Sequence, residues 1–424
     1  PKPNRFLNSR FAPLELEACG SLPNLIEDSP QLQLWHLQDR DFRVPKGHIY
    51  LSLKLPAVTN SAFNFAIARL WSELMIDALN DDLYDAEVAG LHFNIYPTQS
   101  GITIHTTGLS AGQIPLMQHL IERALKTRFA RRRWHDLKQS LLSNWHSAHQ
   151  NQPLNKLFAE LNQQLQFGLF RLHDLACELE PVSFRQFTVE IAKLFSPVHV
   201  TAFAHGDWRR ENALQLGQLI KSNLPSSRSA SIKRAPIKRI RDFVSQQLLV
   251  PSEHSDTALL LYYQGRDDTS MEQISFMLLQ QLIHQPVFQE LRTERQLGYV
   301  AGSQYFPVQR LPGILFFLQS HEYSADEIYQ AMQEVIAQQL EVLHNLTLKE
   351  WHHAKSVLRQ QIRTIDRNLR VRSQRLWGAI QLADTEFNRQ QELLSALEHC
   401  QLVEWLERIK QRLSDKTQLL RLQT

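Results

Sequence analysis

At 424 residues the chain is long enough for two or three domains, each burying its own core. Its 43% apolar and 21% charged residues are the proportions of an ordinary soluble globular protein and exclude a disordered or fibrous one. A net charge of +3 permits a polyanionic partner without demanding one, and no run approaches the roughly 18 to 20 apolar residues that span a bilayer. Cys19, Cys177 and Cys400 lie far apart and form no C-x-x-C, which argues against a disulfide scaffold and a structural zinc site and suits a reducing compartment or buried thiols. The sequence opens P-K-P-N-R-F, without an initiator Met or a hydrophobic signal core, as a segment from inside a longer polypeptide would.

Residues 1–30 are punctuated by Pro and irregular, which predicts an entry linker. Residues 32–37 and 49–55 alternate apolar and polar side chains, the second reading I-Y-L-S-L-K-L, the signature of half-buried strands. Asn60 or Ser61 caps a helix whose apolar face is Phe63, Ile67, Leu70, Trp71, Leu74 and Ala78. Residues 91–96 and 102–107 read as strands, and Ser110 with Gln113 as a capping box opening a helix to residue 125. Helices over 131–149 and 154–165, a strand at 198–203 and a polar helix to residue 220 complete a first α+β unit, residues 31–222. Residues 223–241, rich in Ser, Pro and basic side chains without periodicity, predict a linker.

A second unit, residues 242–424, repeats that order. Strands fall at 243–250 and 258–263, a helix starts at Met271, and a junction at 288–299 leads into a strand pair at 299–305 and 314–318. Ser324 with Glu327 and Thr347 with Glu350 cap two further helices, and 419–422 reads as a closing strand. The predicted fold class is α+β: two tandem homologous units, each an antiparallel-rich β-sheet packed against α-helices on one side. Aligning A-G-L-H-F at 89–93 with R-Q-L-G-Y at 295–299 sets an offset of 206 positions, which places Tyr299 on Phe93 and Arg292 on Ala86. The polar pair therefore belongs to one copy only, as expected of groups that serve a site rather than folding.

The junction reads F-Q-E-L-R-T-E-R-Q-L-G-Y. By residue type alone Arg292 is a solvated cation and Tyr299 a half-buried strand aromatic, because their spacing matches no general chemical motif. A helix-to-strand junction is nevertheless where a rigid scaffold aims polar groups into a cleft. Metal-ligand patterns are missing. In H-L-I-E-R at 119–123 an Arg stands where H-x-x-E-H needs its second His, and a guanidinium has no lone pair to give. His352 and His353 are adjacent, so on a helix they point about 100° apart. Nucleophile-elbow, P-loop and dinucleotide signatures are absent, and the basic runs at 128–135 and 233–241 read as a solvated helix face and linker, with no nucleic-acid-binding signature.

The words L-R-T-E-R-Q-L-G-Y-V at 291–300 and L-P-G-I-L-F-F-L-Q-S at 311–320 resemble the C-terminal half of the pitrilysin and insulin-degrading-enzyme family of zinc peptidases. L-W-H-L-Q-D-R-D-F-R-V-P-K at 34–46, D-A-L-N-D-D-L-Y-D-A-E-V-A-G-L at 77–91 and A-H-G-D at 204–207 resemble it in the same order. The resemblance implies one half of a clamshell peptidase: zinc is the cofactor of the missing N-terminal half, which holds it through H-x-x-E-H, and this half binds no metal and is inactive alone. It implies that Tyr299 and Arg292 are catalytic and that Phe288, Arg292 and Tyr299 bind substrate. The Tyr299 phenol would stand beside the oxyanion, the Arg292 guanidinium on backbone carbonyls, and Phe288 in the apolar wall beside the scissile bond. The implied partners are peptides or small polypeptides and the N-terminal half of the same protein, with no nucleic acid and no membrane; a homodimer stays open. Some members of the resembled family are periplasmic, so the compartment is cytoplasmic or periplasmic, with the cysteine usage tilting it to the cytoplasm. The alternative is a non-catalytic peptide-binding or partner subunit on the same fold.

Overall fold

A computed structural model describes the chain apart from residues 1–3, 5, 7–10, 19, 81–82, 149–151, 196–198, 224–236 and 365. The chain order is β1 (Asn24–Asp28), β2 (Leu32–Gln38), β3 (Lys46–Lys54), α1 (Ala62–Asn80), α2 (Tyr84–Val88), β4 (Leu91–Thr98), β5 (Gly101–Leu109), α3 (Ser110–Lys126), α4 (Arg131–Ser147), α5 (Pro153–Leu165), α6 (Leu172–Leu179), α7 (Phe184–Leu194), β6 (His199–Gly206) and α8 (Arg210–Asn223). It continues through β7 (Gln247–Leu249), β8 (Thr257–Gln264), α9 (Ser270–Phe288), β9 (Val300–Tyr305), β10 (Gly313–Ser320), α10 (Ala325–His344), α11 (Leu348–Arg363), α12 (Leu369–Gln381), α13 (Arg389–His399), α14 (Leu402–Ser414) and β11 (Leu419–Gln423). Among these described residues no helix is long and apolar enough to cross a membrane.

Two units emerge from packing, and neither is contiguous. The first comprises Pro1–His146, Phe170–Arg234 and Asp366–Phe387; the second comprises Ser147–Leu169, Ala235–Ile365 and Asn388–Thr424. The contiguous division at residues 222 and 242 therefore misplaces two helices: α5 packs in the second unit and α12 in the first. Most of the expected linker 223–241 lies outside the described residues, but its tail belongs to the second unit, where Ile237 bridges Gln166 and Ile240 is fully buried. The expected entry segment 1–30, only partly described, contains strand β1, which pairs antiparallel with β2.

In the first unit the described strands form a six-stranded sheet in the order β1-β2-β6-β3-β5-β4, antiparallel except for β2 against β6. The alternation in β3 places Ile49, Leu51 and Leu53 on the face packed by α1, α3 and α8, and Tyr50 on the other. The half-buried expectation fails for β3, whose outer face is covered as well. Trp35, Leu37, Tyr50 and Phe203 pack there against Leu376, Trp377 and Ile380 of α12. Even Lys54 is buried on that side, its Nζ donating to Ser100 Oγ at 3.2 Å and Gln381 Oε1 at 2.5 Å, and burial pushes its pKa down to about 8. Ser61 caps α1 by accepting from Asn64 N at 3.2 Å. The capping box expected at Ser110 is not formed, because Gln113 turns inward and its Nε2 donates to the carbonyls of Gly47 and Gly108.

The second unit repeats the plan with a five-stranded sheet, β7-β11-β8-β10-β9. Leu259, Leu261 and Tyr263 of β8 face α9, α10 and α14, and Leu260 and Tyr262 face Leu154, Leu157, Leu161 and Leu165 of α5. Helices therefore lie on both sides of each sheet, not on one. Strand β7 is shorter than the expected 243–250, because it pairs only with the last residues of β11 and its side chains stay largely exposed. Both capping boxes expected on α10 and α11 are present. Helix α9 is fastened to α14 by a buried ion pair, Arg412 Nε to Glu272 Oε1 at 2.5 Å and Arg412 Nη2 to Glu272 Oε2 at 3.1 Å.

Histidines gather on the α12 side of the first sheet. His48 Nδ1 lies 3.2 Å from His105 Nε2, Tyr50 stacks on His105 and Trp377, and His205 Nδ1 meets Ser373 Oγ at 2.6 Å. Burial, with Arg370 adding to it, lowers the pKa of His48 to about 4. Burial with His48 and Arg370 brings His105 to about 3, and burial with His48, His36 and Arg375 does the same for His205.

Two outcomes are expected. Below pH 6.5 the unfolded chain takes up protons that these histidines refuse in the fold, so stability falls by about 1.4 kcal/mol per pH unit for each one held neutral, down to its folded pKa. The thermal midpoint should drop steeply from pH 6.5 to pH 5, and His48→Asn should flatten that slope. Arg412→Ala strands a buried carboxylate and should lower unfolding free energy by about 3 to 5 kcal/mol in urea titrations, more than the double change Glu272→Gln with Arg412→Met.

Candidate functional site

Helix α9 is capped by Thr269, whose hydroxyl accepts from Glu272 N at 3.2 Å. Its Ile274, Phe276, Leu278, Leu279, Ile283 and Val287 are buried, so the helix is a rigid strut. Pro286 interrupts the hydrogen-bond ladder near its end, and the chain then widens into a π-helical segment, Gln289–Glu294. Arg295 N donates to Glu290 O and Leu297 N to Leu291 O, both at 3.0 Å. Gln296 reverses the chain with φ 51°, a left-handed conformation that non-glycine residues seldom adopt. Gly298 then passes so close to β10 that a Cβ would meet Gln319 O at 2.3 Å, so only glycine fits there.

Within this segment the side chains divide. Arg295 is anchored, its Nε on Glu290 at 2.9 Å and its Nη1 on Glu334 at 2.7 Å, and Leu291 and Leu297 are buried. Arg292 is exposed, forms no ion pair among the described residues, and rests its guanidinium 5.3 Å from the ring centroid of Phe288, the i,i+4 neighbour on its own helical face. Phe288 is partly buried. Tyr299 enters β9 42% exposed. The structure thus brings Phe288 and Arg292 together, and Tyr299 finds different partners.

Those partners are Asp256 and Gln319. Tyr299 Oη donates to Asp256 Oδ2 at 2.5 Å, and Gln319 Nε2 donates to Asp256 Oδ2 at 2.9 Å and to Tyr299 Oη. Hydrogen bonds from Tyr299 and Gln319 hold Asp256 below its ordinary carboxylate range, while burial and then the Asp256 carboxylate raise the Tyr299 phenol. Sequence reasoning missed Asp256 and Gln319. Gln319 had a visible signal, an amide in the apolar strand L-F-F-L-Q-S; Asp256 sits in a polar loop and had none.

At the 206-residue offset of the aligned words, Arg292 and Tyr299 fall on apolar residues of the first unit: Ala86 is buried in α2 and Phe93 packs against the core. Among the described residues no group of three His, Cys, Asp or Glu side chains could hold a metal ion. Glu122 accepts from Gln118 Nε2, and His352 and His353 are exposed. The described residues do not fit a zinc site.

Two copies of one α+β unit are the architecture of the peptidase M16 fold. The family model for the middle or third domain of peptidase M16 matches residues 1–178, and that for the C-terminal lobe domain 4 of PQQ synthase PqqF-like proteins matches residues 278–377. By these matches the chain is similar to the pitrilysin and insulin-degrading-enzyme family. It is 24% identical to the A-factor-processing enzyme of Saccharomyces cerevisiae over 426 aligned residues, 96% of this chain and 41% of that protein. It is 26% identical to the insulin-degrading enzyme of Homo sapiens over 333, covering 76% of this chain and 32% of that one. The crystal structure of pitrilysin matches its fold with a TM-score of 0.88 at 18% identity, over 100% of this chain and 45% of pitrilysin. The chain spans less than half the length of these relatives.

Proposed function

We propose that the chain is the C-terminal half of a clamshell zinc metallopeptidase that degrades peptides and small polypeptides, with Arg292, Tyr299 and Phe288 facing the substrate. The names of its relatives support a polypeptide substrate. The observation that carries the reading is the exposed junction of the second unit, where Arg292 forms no ion pair among the described residues and Tyr299 is 42% exposed, while at the 206-residue offset of the aligned words the first unit has apolar Ala86 and Phe93. Zinc, implied by the family, finds no ligand set among the described residues and is assigned to the N-terminal half, the partner of this chain. The work of this half is to grip and polarise. Arg292 offers several donors in a fixed fork to backbone carbonyls, resting on the Phe288 ring. Tyr299 supplies a neutral O–H donor to the oxygen that becomes negative during acyl transfer.

In the full-length protein, Tyr299→Phe is expected to lower kcat by more than about tenfold with metal content unchanged, and Arg292→Ala to raise KM; turnover equal to wild type would remove Tyr299 from the site. The present chain is expected to bind no zinc and to leave a fluorogenic peptide intact until the N-terminal half is added. If mixing produces peptide binding without cleavage, the chain is a recognition subunit.

A further inference from the structure

We infer that Asp256 and Gln319 are positioning residues for Tyr299, fixing its phenol oxygen and holding its single proton on Asp256 until a substrate oxygen takes over as acceptor. The inference rests on the proposed role of Tyr299.

Gln319 is fully buried in β10, and its amide is spoken for at both ends. Its Oε1 accepts from Leu154 N, in the first turn of α5, at 3.3 Å, and its Nε2 donates to Asp256 and Tyr299. With a backbone N–H on the oxygen side, the amide has one orientation, and toward Tyr299 it acts only as donor. A phenol has one proton. Since Gln319 occupies a lone pair of Oη, the phenol points that proton at Asp256 Oδ2.

The Asp256 loop is itself braced. Asp256 N donates to His254 Nδ1 at 3.0 Å. That nitrogen is then an acceptor and carries no proton toward the Asp256 carboxylate 3.5 Å away, so Tyr299 and Gln319 are its donors. His321, whose ring lies 6.4 Å from that of Tyr299 and which pairs with Glu322 at 3.4 Å, is a further titratable group beside the phenol.

The consequence is a two-position donor. At rest Tyr299 presents a lone pair outward, and an oxyanion cannot use it. Turning the O–H about the Cζ–Oη bond transfers the donor from Asp256 to the substrate, while the bond from Gln319 keeps the oxygen in place. No covalent bond forms or breaks and the proton stays on the phenol.

The test is a mutant cycle in the full-length protein. Asp256→Ala is expected to lower kcat about tenfold at unchanged KM. Asp256→Asn, whose amide oxygen still accepts the phenol proton, should restore most of it, and neither change should matter in a Tyr299→Phe background. An equal loss in both backgrounds overturns the inference. Titration of Cζ-labelled tyrosines in the present chain, with the Tyr299 signal assigned by its loss in Tyr299→Phe, separates this outcome from failure of the site reading. Asp256→Ala should bring the Tyr299 pKa down toward the ordinary 10.0, and an unmoved titration overturns the positioning contact. A moved titration together with a Tyr299→Phe enzyme of full kcat confirms the contact and refutes its catalytic use.

Discussion

Both sheets of this chain carry large buried side chains on both faces, with histidines among them on the outer face of the first, and such a sheet must be covered twice. Tyr50 and Phe203 behind the first and Leu260 and Tyr262 behind the second would otherwise meet water. Each half of the sequence supplies helices for one face of its own sheet. The second cover comes from the other half, α12 for the first sheet and α5 for the second. The two helices are of equal length, 13 residues, and hold corresponding places in the repeated order. The exchange explains why a single cut in the Ser- and Pro-rich segment does not separate the two units: it would leave each sheet without one cover.

The duplication also separates folding devices from functional ones. Lys138, over Trp134, donates to the carbonyls of Glu180 and Val182, both at 2.8 Å. Lys355, over Trp351, donates to those of Glu398 and Cys400 at 3.1 and 2.9 Å. A half-buried ammonium that satisfies the carbonyls ending one helix, and so aims the next, is needed wherever the unit occurs. It is present twice. Polar groups that the fold needs recur in both copies; Arg292 and Tyr299 do not.

Much of the fold was legible because period and capping speak locally. The alternation of β3, the apolar stripe of α1 and the capping boxes of α10 and α11 are decided within a few residues. The repeated order of elements was legible too, although α1 and α9 stand 208 positions apart (270 − 62) where the matched words gave 206. The exchanged helices were not, because α5 is as amphipathic in one unit as it would be in the other, and sequence carries no label for which sheet receives it. Gln113 misled for a related reason: the spacing of a capping box also suits a glutamine that turns inward to Gly47 and Gly108, and burial, unseen in sequence, chose the second. At the candidate site the motif words located Arg292 and Tyr299, whereas Asp256, Gln319 and the first turn of α5, at Leu154, meet only in space.

The junction itself shows why those two residues stand out. Between Phe288 and Val300 nearly every other side chain has a structural task. Leu291 and Leu297 fill the core, Arg295 ties the segment to Glu290 and Glu334, Gln296 turns the chain at positive φ, and Gly298 lets it pass β10. A π-helical segment after a proline is a strained way to end a helix, and the anchors around it hold that geometry. What they hold in place is an exposed guanidinium with no acid to neutralise it and a phenol whose proton has a resting acceptor. Among the described residues Arg292 has no ion pair on a segment whose neighbours are committed to the fold, which suits the substrate contact proposed for it.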